Sequence, residues 1–304
     1  MTCFCFASII IMTSNNNTLI SVVIPTYNRA SFLQRAVGSV LGQTYNNWEI
    51  IVVDNNSIDN TDEVIASFND ERIIVHKINN NGVVAASRNA GIKAASGEYI
   101  AFLDSDDWWN EGKLEICSKQ IKMGYDVIYH SLWFVTDETK KKHRILQSRK
   151  LKFPIFFDLL FKGNTLPNSS VIVKKKLLFE VGLLDEGREL IASEDYDLWL
   201  KLANVTNRFI YIDKPLGFYW YGGQNLSKNY NMASSGAVIL NKYINRLSPL
   251  EYSKAEGFLR YSSGLHLTRV KNLTKGRKHF IEAIYKGTWS IKAKAVFRLL
   301  SSFV

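Results

Sequence analysis

The sequence predicts an α/β fold in which a mainly parallel central sheet is flanked by helices and extended at its C-terminus by helices alone. Three observations point there. Short apolar runs rich in β-branched residues alternate with helical periodicity through residue 130, the order that βαβ crossovers impose. From about Ala237 onward only helical patterns remain. The chain has 304 residues, 46% of them hydrophobic, which is enough to bury a core without disulfide or metal staples.

Leu19–Pro25 (LISVVIP) reads as a buried strand ended by its proline. Ala30–Gly42 places Phe32, Leu33, Ala36, Val37, Val40 and Leu41 at the i, i+3, i+4 spacing of an amphipathic helix. Trp48–Val53 is a second strand, Asp62–Phe68 a helix with Thr61 near its N-cap, and Arg72–His76 a third strand. Val83–Ala95 is a helix of small residues ending near Gly97. Strand Tyr99–Leu103, helix Lys113–Met123 and strand Asp126–Tyr129 follow. Lys140–Lys152 is basic and aperiodic, so a surface loop or hairpin is expected. Ser169–Val173 reads as a strand, Glu194–Ala203 as a helix, and Phe209–Ile212 and Gly217–Tyr221 as two short strands.

The net charge is +10, and its location is informative. Residues 241–304 hold 13 Lys and Arg against 3 Glu, while the remaining 25 basic and 25 acidic residues cancel. The three cysteines, Cys3, Cys5 and Cys117, show no metal-ligand spacing and suit a reducing compartment. No apolar run reaches the length of a transmembrane helix. Cys3–Met12 is apolar, but no Lys or Arg precedes it and no A-x-A pattern follows. We expect a misassigned start or an untidy tail there, ahead of a membrane-dipping segment or an export signal. Dinucleotide, P-loop and nucleophile-elbow motifs are absent, as is HExxH.

In a sheet of this kind, ligands bind beyond the carboxyl ends of the strands. The segments there are Thr26-Tyr27-Asn28, Asp54–Asp59 and Asp104-Ser105-Asp106-Asp107. Three carboxylates in four residues repel one another unless a cation sits among them, and hard oxygens suit Mg²⁺ or Mn²⁺. An acidic turn capping the next helix fits the same residues. Asp54–Asp59 can read a nucleobase edge through its amides, or can form an Asx-turn and helix cap. In Ser193-Glu194-Asp195, paired acids complement a helix dipole, or one of them is a general base raised by burial and by its acidic neighbour.

With these residues in view, the sequence resembles the family 2 glycosyltransferases of GT-A fold over roughly Ser21 to Ser227. The ordered elements are Val23-Ile24-Pro25-Thr26-Tyr27-Asn28, Ile50-Ile51-Val52-Val53-Asp54-Asn55-Asn56-Ser57, Ser87-Arg88-Asn89-Ala90-Gly91, Phe102-Leu103-Asp104-Ser105-Asp106-Asp107 and Ser193-Glu194-Asp195-Tyr196-Asp197-Leu198-Trp199. The resemblance implies transfer of a sugar from a nucleoside diphosphate, UDP- or dTDP-linked, to an acceptor hydroxyl with inversion. By analogy Pro25, Thr26 and Tyr27 pack on the base, and Asn55 replaces an Asp that hydrogen-bonds uracil in many relatives. Asp104 faces the ribose or donor sugar, Asp106 binds Mg²⁺ or Mn²⁺, and Asp195 is the catalytic base. Arg88 supports the nucleotide-binding loops or serves as a structural salt bridge. Relatives often carry an Arg-x-His pair where Trp220 and Gly222 stand here.

This reading divides the chain into a tail (residues 1–18), a GT-A domain (19–232) and a basic helical region (233–304). That last region interleaves Lys275, Lys278, Lys292, Lys294 and Arg298 with Phe280, Trp289, Phe297 and Leu300. It fits either an anionic membrane surface, suiting a lipid-linked glycan acceptor at the inner face of the cell membrane, or packed helices with a solvated basic face. No signature of nucleic-acid binding accompanies the charge. Trp108 and Trp109 can stack on a sugar or fill the core. A nucleotidyltransferase and an inactive, donor- or membrane-binding relative are the alternative readings.

Overall fold

A computed structural model of the chain describes residues 17–136, 144–222 and 232–303. The apolar stretch Cys3–Met12, the start of Lys140–Lys152 and residues 223–227 of the relatives' Arg-x-His region lie outside them. Among the described residues, nine strands form one sheet. In chain order they are β1 (Ile20–Thr26), β2 (Trp48–Asp54), β3 (Ile73–Lys77), β4 (Tyr99–Phe102), β5 (Trp108–Trp109), β6 (Val127–Val135), β7 (Arg144–Leu146), β8 (Ile172–Lys174) and β9 (Phe209–Trp220). The spatial order is β3-β2-β1-β4-β8-β6-β9-β5, with β7 paired to β6.

The half of the sheet from β3 to β4 is wholly parallel, with Ile20 of β1 lying between Trp48 and Tyr99. Crossovers run through α1 (Ala30–Leu41), α2 (Thr61–Ser67) and α3 (Val84–Ala94). Beyond β4 the sheet turns antiparallel through β8, while β6 and β9 pair in parallel. The expected hairpin after β6 is the β6–β7 pair. One expected pair of strands needs correction. Phe209–Ile212 and Gly217–Tyr221 are one strand, β9, which crosses Pro215 because the ladder to β6 shifts register around Ser131 and absorbs the residue that cannot donate. Thr61 is the first residue of α2, and its N-cap is Asn60.

Successive residues of β1 face opposite sides, and each side has its own core. Val22 and Ile24 join Leu33, Val37 and Val40 of α1 and Leu114 of α4 (Lys113–Lys122). Val23 joins Ile92 of α3, Leu159 of α5 (Ile155–Lys162), and Leu198 and Trp199 of α7 (Glu194–Val205). Helix α6 (Lys175–Glu180) follows β8, and α8 (Met232–Tyr243) adds Ile239, Leu240 and Tyr243 to this second core. The remaining helices are α9 (Pro249–Arg269), α10 (Leu273–Lys286) and α11 (Trp289–Ser301). They enclose a separate cluster of Phe280, Ala283, Ile291 and Ala295.

Gly91 sets how closely α3 sits on the sheet: a Cβ there would stand 2.5 Å from Val23 Cγ1 and 3.1 Å from Val53 Cγ2. Gly91→Val should therefore overpack the α3–β1–β2 contact and cost about 1–3 kcal/mol, read as a lower urea midpoint at unchanged slope.

Candidate active site

The loops after β1 and β2 are stitched together by their polar side chains. Asn28, at φ 50°, accepts the Ile58 amide on Oδ1 at 2.8 Å, and its own N–H donates to Ser57 Oγ at 2.9 Å. Asp54 accepts the Ser57 amide at 3.1 Å and its hydroxyl at 2.5 Å, while Asp59 accepts the Ala30 amide at 3.0 Å. Asp54, Ser57 and Asp59 thus do the work of turns and caps. Asn55 differs. Its Oδ1 accepts the Asn80 amide at 2.7 Å, and the residue lines a cavity of about 710 Å³.

That cavity is formed beyond the carboxyl ends of β1, β2 and β4. All eight residues singled out from the sequence border it: Pro25, Thr26, Tyr27, Asn55, Arg88, Asp104, Asp106 and Asp195. The segment Asn164–Asn168 closes it from another side.

Each carboxylate of the acidic turn has a protein partner. Asp104 accepts Arg88 Nη2 at 2.7 Å and Asn168 Nδ2 at 2.9 Å. Asp106 is ion-paired to Arg29, and its carbonyl accepts Arg35 Nη2 at 2.7 Å. Asp107 is buried and accepts the Trp220 amide at 2.8 Å. Burial raises the Asp107 carboxyl well above its ordinary value, and the charges of Asp106 and Asp104 add to the rise. Asp106 is also raised, by burial against the pull of Arg29 and with a push from Asp104. Among the described residues no three His, Cys, Asp or Glu side chains converge as a ready-made metal cage. The donor set nevertheless fits a hard divalent cation. Mg²⁺ takes one or two protein carboxylates and completes its shell with water and substrate phosphate, and Asp104 and Asp106, two residues apart on one turn, bring hard carboxylate oxygens to the cavity wall.

Asp195 enters the cavity from the first turn of α7. Its Oδ1 accepts the Tyr196 amide at 2.6 Å and its Oδ2 accepts Asn164 Nδ2 at 3.2 Å. Burial raises its carboxyl to about 7, helped by the charge of Glu194 and opposed by that of Arg88. Glu194 is itself buried and ion-paired to Arg88. Arg88 therefore bridges Asp104, in the loop after β4, and Glu194, at the start of α7.

The structure also shows what the residue pattern left out. Trp109 is buried in the core, and Trp108 lies between Phe218, whose ring centre is 4.8 Å away, and the Arg35 guanidinium at 3.7 Å. Neither Trp borders the cavity, which corrects the sugar-stacking option. The Trp220 ring lies 5.9 Å from Phe32 and below Arg35, and a Cβ on Gly222 would stand 2.4 Å from Trp220 Nε1. The cavity takes Tyr219 and Tyr221 from this segment instead. Their alternation about Trp220 is the period-two signal that would have identified them. Arg29 follows the first motif directly and Glu194 stands within the last, but the residue pattern does not show that Arg29 pairs with Asp106 or that Glu194 pairs with Arg88. Arg269, at the C-terminal end of α9, also reaches the cavity wall.

Comparison with known proteins agrees with this geometry. The Glycosyl transferase family 2 model matches residues 21–186. An uncharacterised glycosyltransferase of Rickettsia typhi is 36% identical over 253 residues, covering 79% of this chain and 76% of the relative. The UDP-Glc:alpha-D-GlcNAc-diphosphoundecaprenol beta-1,3-glucosyltransferase WfgD of Escherichia coli is 31% identical over 190 residues, covering 62% of this chain and 71% of that one. In fold, the chain superposes on the crystal structure of S. aureus TarS in complex with UDP-GlcNAc with a TM-score of 0.67 at 18% identity, over 93% of this chain and 89% of that one. The chain spans 37% of the length of a Rickettsia conorii relative. By matched family, by identity to its relatives and by GT-A fold, the chain belongs to glycosyl transferase family 2.

Proposed function

We propose that the chain is an inverting, metal-dependent glycosyltransferase. It moves a sugar from a UDP- or dTDP-linked donor to a hydroxyl of a growing, lipid-linked surface glycan. The carrying observation is that Asp106, in the loop after β4, and Asp195, in the first turn of α7 and 89 positions away in sequence, border one cavity together with Pro25, Thr26, Tyr27 and Asn55. Tyr27 is 53% exposed, leaving a ring face to cover a nucleobase. The Asn55 carbonyl keeps one lone pair beyond Asn80, and its NH₂ can donate, so the amide suits a pyrimidine edge. Asp104, held by Arg88 and Asn168, presents a fixed carboxylate to ribose or donor-sugar hydroxyls.

Asp195 takes the proton of the acceptor hydroxyl as it attacks. Its raised pKa makes it a stronger base than an exposed carboxylate, and Glu194 and Arg88 set that value from opposite sides. The transition state is oxocarbenium-like, as in glycoside chemistry generally. Asp106 would hold the divalent cation, which when bound supplies Lewis-acid stabilisation of the leaving diphosphate. The lipid-linked acceptor is supported by the similarity to WfgD, a glucosyltransferase named for a GlcNAc-diphosphoundecaprenol acceptor. No helix among the described residues is long and apolar enough to cross a membrane. In this reading the acceptor is met at the inner face of the cell membrane.

The test is nucleoside-diphosphate release by the purified protein across a panel of nucleotide sugars, with Mg²⁺ or Mn²⁺ and a diphosphate-lipid acceptor. No release with any donor refutes the proposal. With a productive donor, Asp195→Asn should lower kcat by about 10²–10⁴-fold with little change in donor KM. Because the working form of Asp195 is ionised, log kcat should fall with unit slope as pH drops below about 7 and level off above it, and a profile flat from acidic to neutral pH would refute the assignment. Asp106→Asn should raise the divalent-ion concentration needed for half-maximal rate by at least about tenfold, whereas a metal titration unchanged from the parent's would remove Asp106 from the metal site.

A further inference from the structure

Helix α11 is apolar on two opposite faces, and only one of them is used. Ile291 and Ala295 are buried against α9 and α10. On the opposite side Trp289, Ala293, Val296, Phe297 and Leu300 recur at i, i+4, i+7, i+8 and i+11, a single stripe at helical spacing. Trp289 is 87% exposed, Phe297 67% and Leu300 65%. Large apolar side chains in a continuous exposed row mark an interaction surface.

The charges around the stripe say what covers it. Lys292 flanks it on one side and Lys294 on the other, with Arg298 one turn beyond Lys294. Helix α11 contains no Asp or Glu. The three acids of residues 241–304 are all engaged elsewhere. Glu251 caps Ser248, Glu256 holds Arg260 and Lys286, and Glu282 holds Arg260. Among the described residues no carboxylate lies within ion-pair distance of Lys292, Lys294 or Arg298. A second protein chain would have to bring its own acids to such a surface, whereas an anionic bilayer offers apolar depth and negative headgroups together.

We propose that the Trp289–Leu300 stripe is the surface by which the protein docks on an anionic membrane. The aromatic and aliphatic side chains enter the headgroup boundary, and Lys292, Lys294 and Arg298 contact lipid phosphates. This deepens the membrane-proximal reading above and rests on it. Arg269, which borders the catalytic cavity, belongs to the same helical group, so docking through α11 holds the cavity beside the layer in which a lipid-linked acceptor lies.

The test is co-sedimentation of the full chain with vesicles of mixed phosphatidylglycerol and phosphatidylcholine, and with vesicles of phosphatidylcholine alone. The mixed vesicles should bind at least about tenfold more tightly, with binding weakened by added salt. Trp289→Ser with Phe297→Ser should lower affinity by about tenfold or more, and so should Lys294→Glu with Arg298→Glu. Both pairs lie on exposed positions and should leave the melting temperature unchanged. Both should also release nucleoside diphosphate at the parent rate with a water-soluble acceptor, so failure of docking is distinguished from failure of transfer. Equal vesicle binding by parent and variants overturns the proposal. So does a lipid-independent dimer that either pair dissolves, because the stripe would then belong to a second copy of the chain.

Discussion

The Arg88 guanidinium sits almost wholly out of water between two carboxylates from distant parts of the chain, and the shape of the cavity follows from that arrangement. Asp104 stands in the loop after β4, Glu194 opens α7, and Arg88 projects from α3 to both. Its side chain is 6% exposed. Placing three charges there is unfavourable unless each is hydrogen-bonded, and removing one partner of such a buried pair costs about 3–5 kcal/mol. The bridge therefore fixes the relative position of a parallel-sheet loop and a helix that the chain reaches only 106 residues later. Asp195 is the residue next to Glu194, so the position of the proposed base is inherited from this contact.

The same bridge divides the acids of the cavity into two kinds. Asp104 and Glu194 share the single positive charge of Arg88, and Asp106 is ion-paired to Arg29. Asp107 and Asp195 have only neutral hydrogen-bond donors, so burial and neighbouring negative charge push both upward. Asp107, 1% exposed in the cavity wall, fastens the end of β9 through the Trp220 amide. Asp195 borders the open cavity. One buried acid thus maintains structure, while the other stands poised to exchange a proton near neutral pH. Trp220 belongs to the structural half of this division: it and Gly222 fill a cluster with Phe32 and Arg35, and the guanidinium groups near Asp106 come from α1 and the loop before it.

Local pattern made the first half of the fold legible because each strand there is a short β-branched run and each helix carries its own periodicity. The positions of Asp104, Asp106 and Asp195 at element ends followed from the same reading. What could not be read depends on partners far away. Nothing in Asp213-Lys214-Pro215-Leu216 shows that β6 will shift register to carry a single strand across the proline. The apolar run Ile155–Lys162 is short enough to suit strand or helix, and it becomes α5 by packing beneath α7. Arg29 looks like an ordinary loop residue until the fold brings it to Asp106, 77 positions away. Trp108 and Trp109 follow the acidic turn directly, yet β5 pairs with β9 and turns both out of the cavity.

The charge asymmetry of the sequence acquires a physical meaning from the packing of the last three helices. A basic segment is unremarkable when its cations meet acids on a neighbouring element, and α9 and α10 do this through Glu256 and Glu282. Helix α11 receives none of that compensation, and it adds an apolar row where a solvated helix would carry polar residues. Two independent departures from an ordinary surface helix, one in charge and one in hydrophobicity, fall on the same thirteen residues. The helical group that carries them is joined to the glycosyltransferase core by close contact: a Cβ on Gly163 would stand 2.1 Å from the Phe258 ring of α9, so the absent side chain is what lets α9 seat against α5. In the docking proposed above, a contact made at α11 is connected to the walls of the cavity through these packed helices.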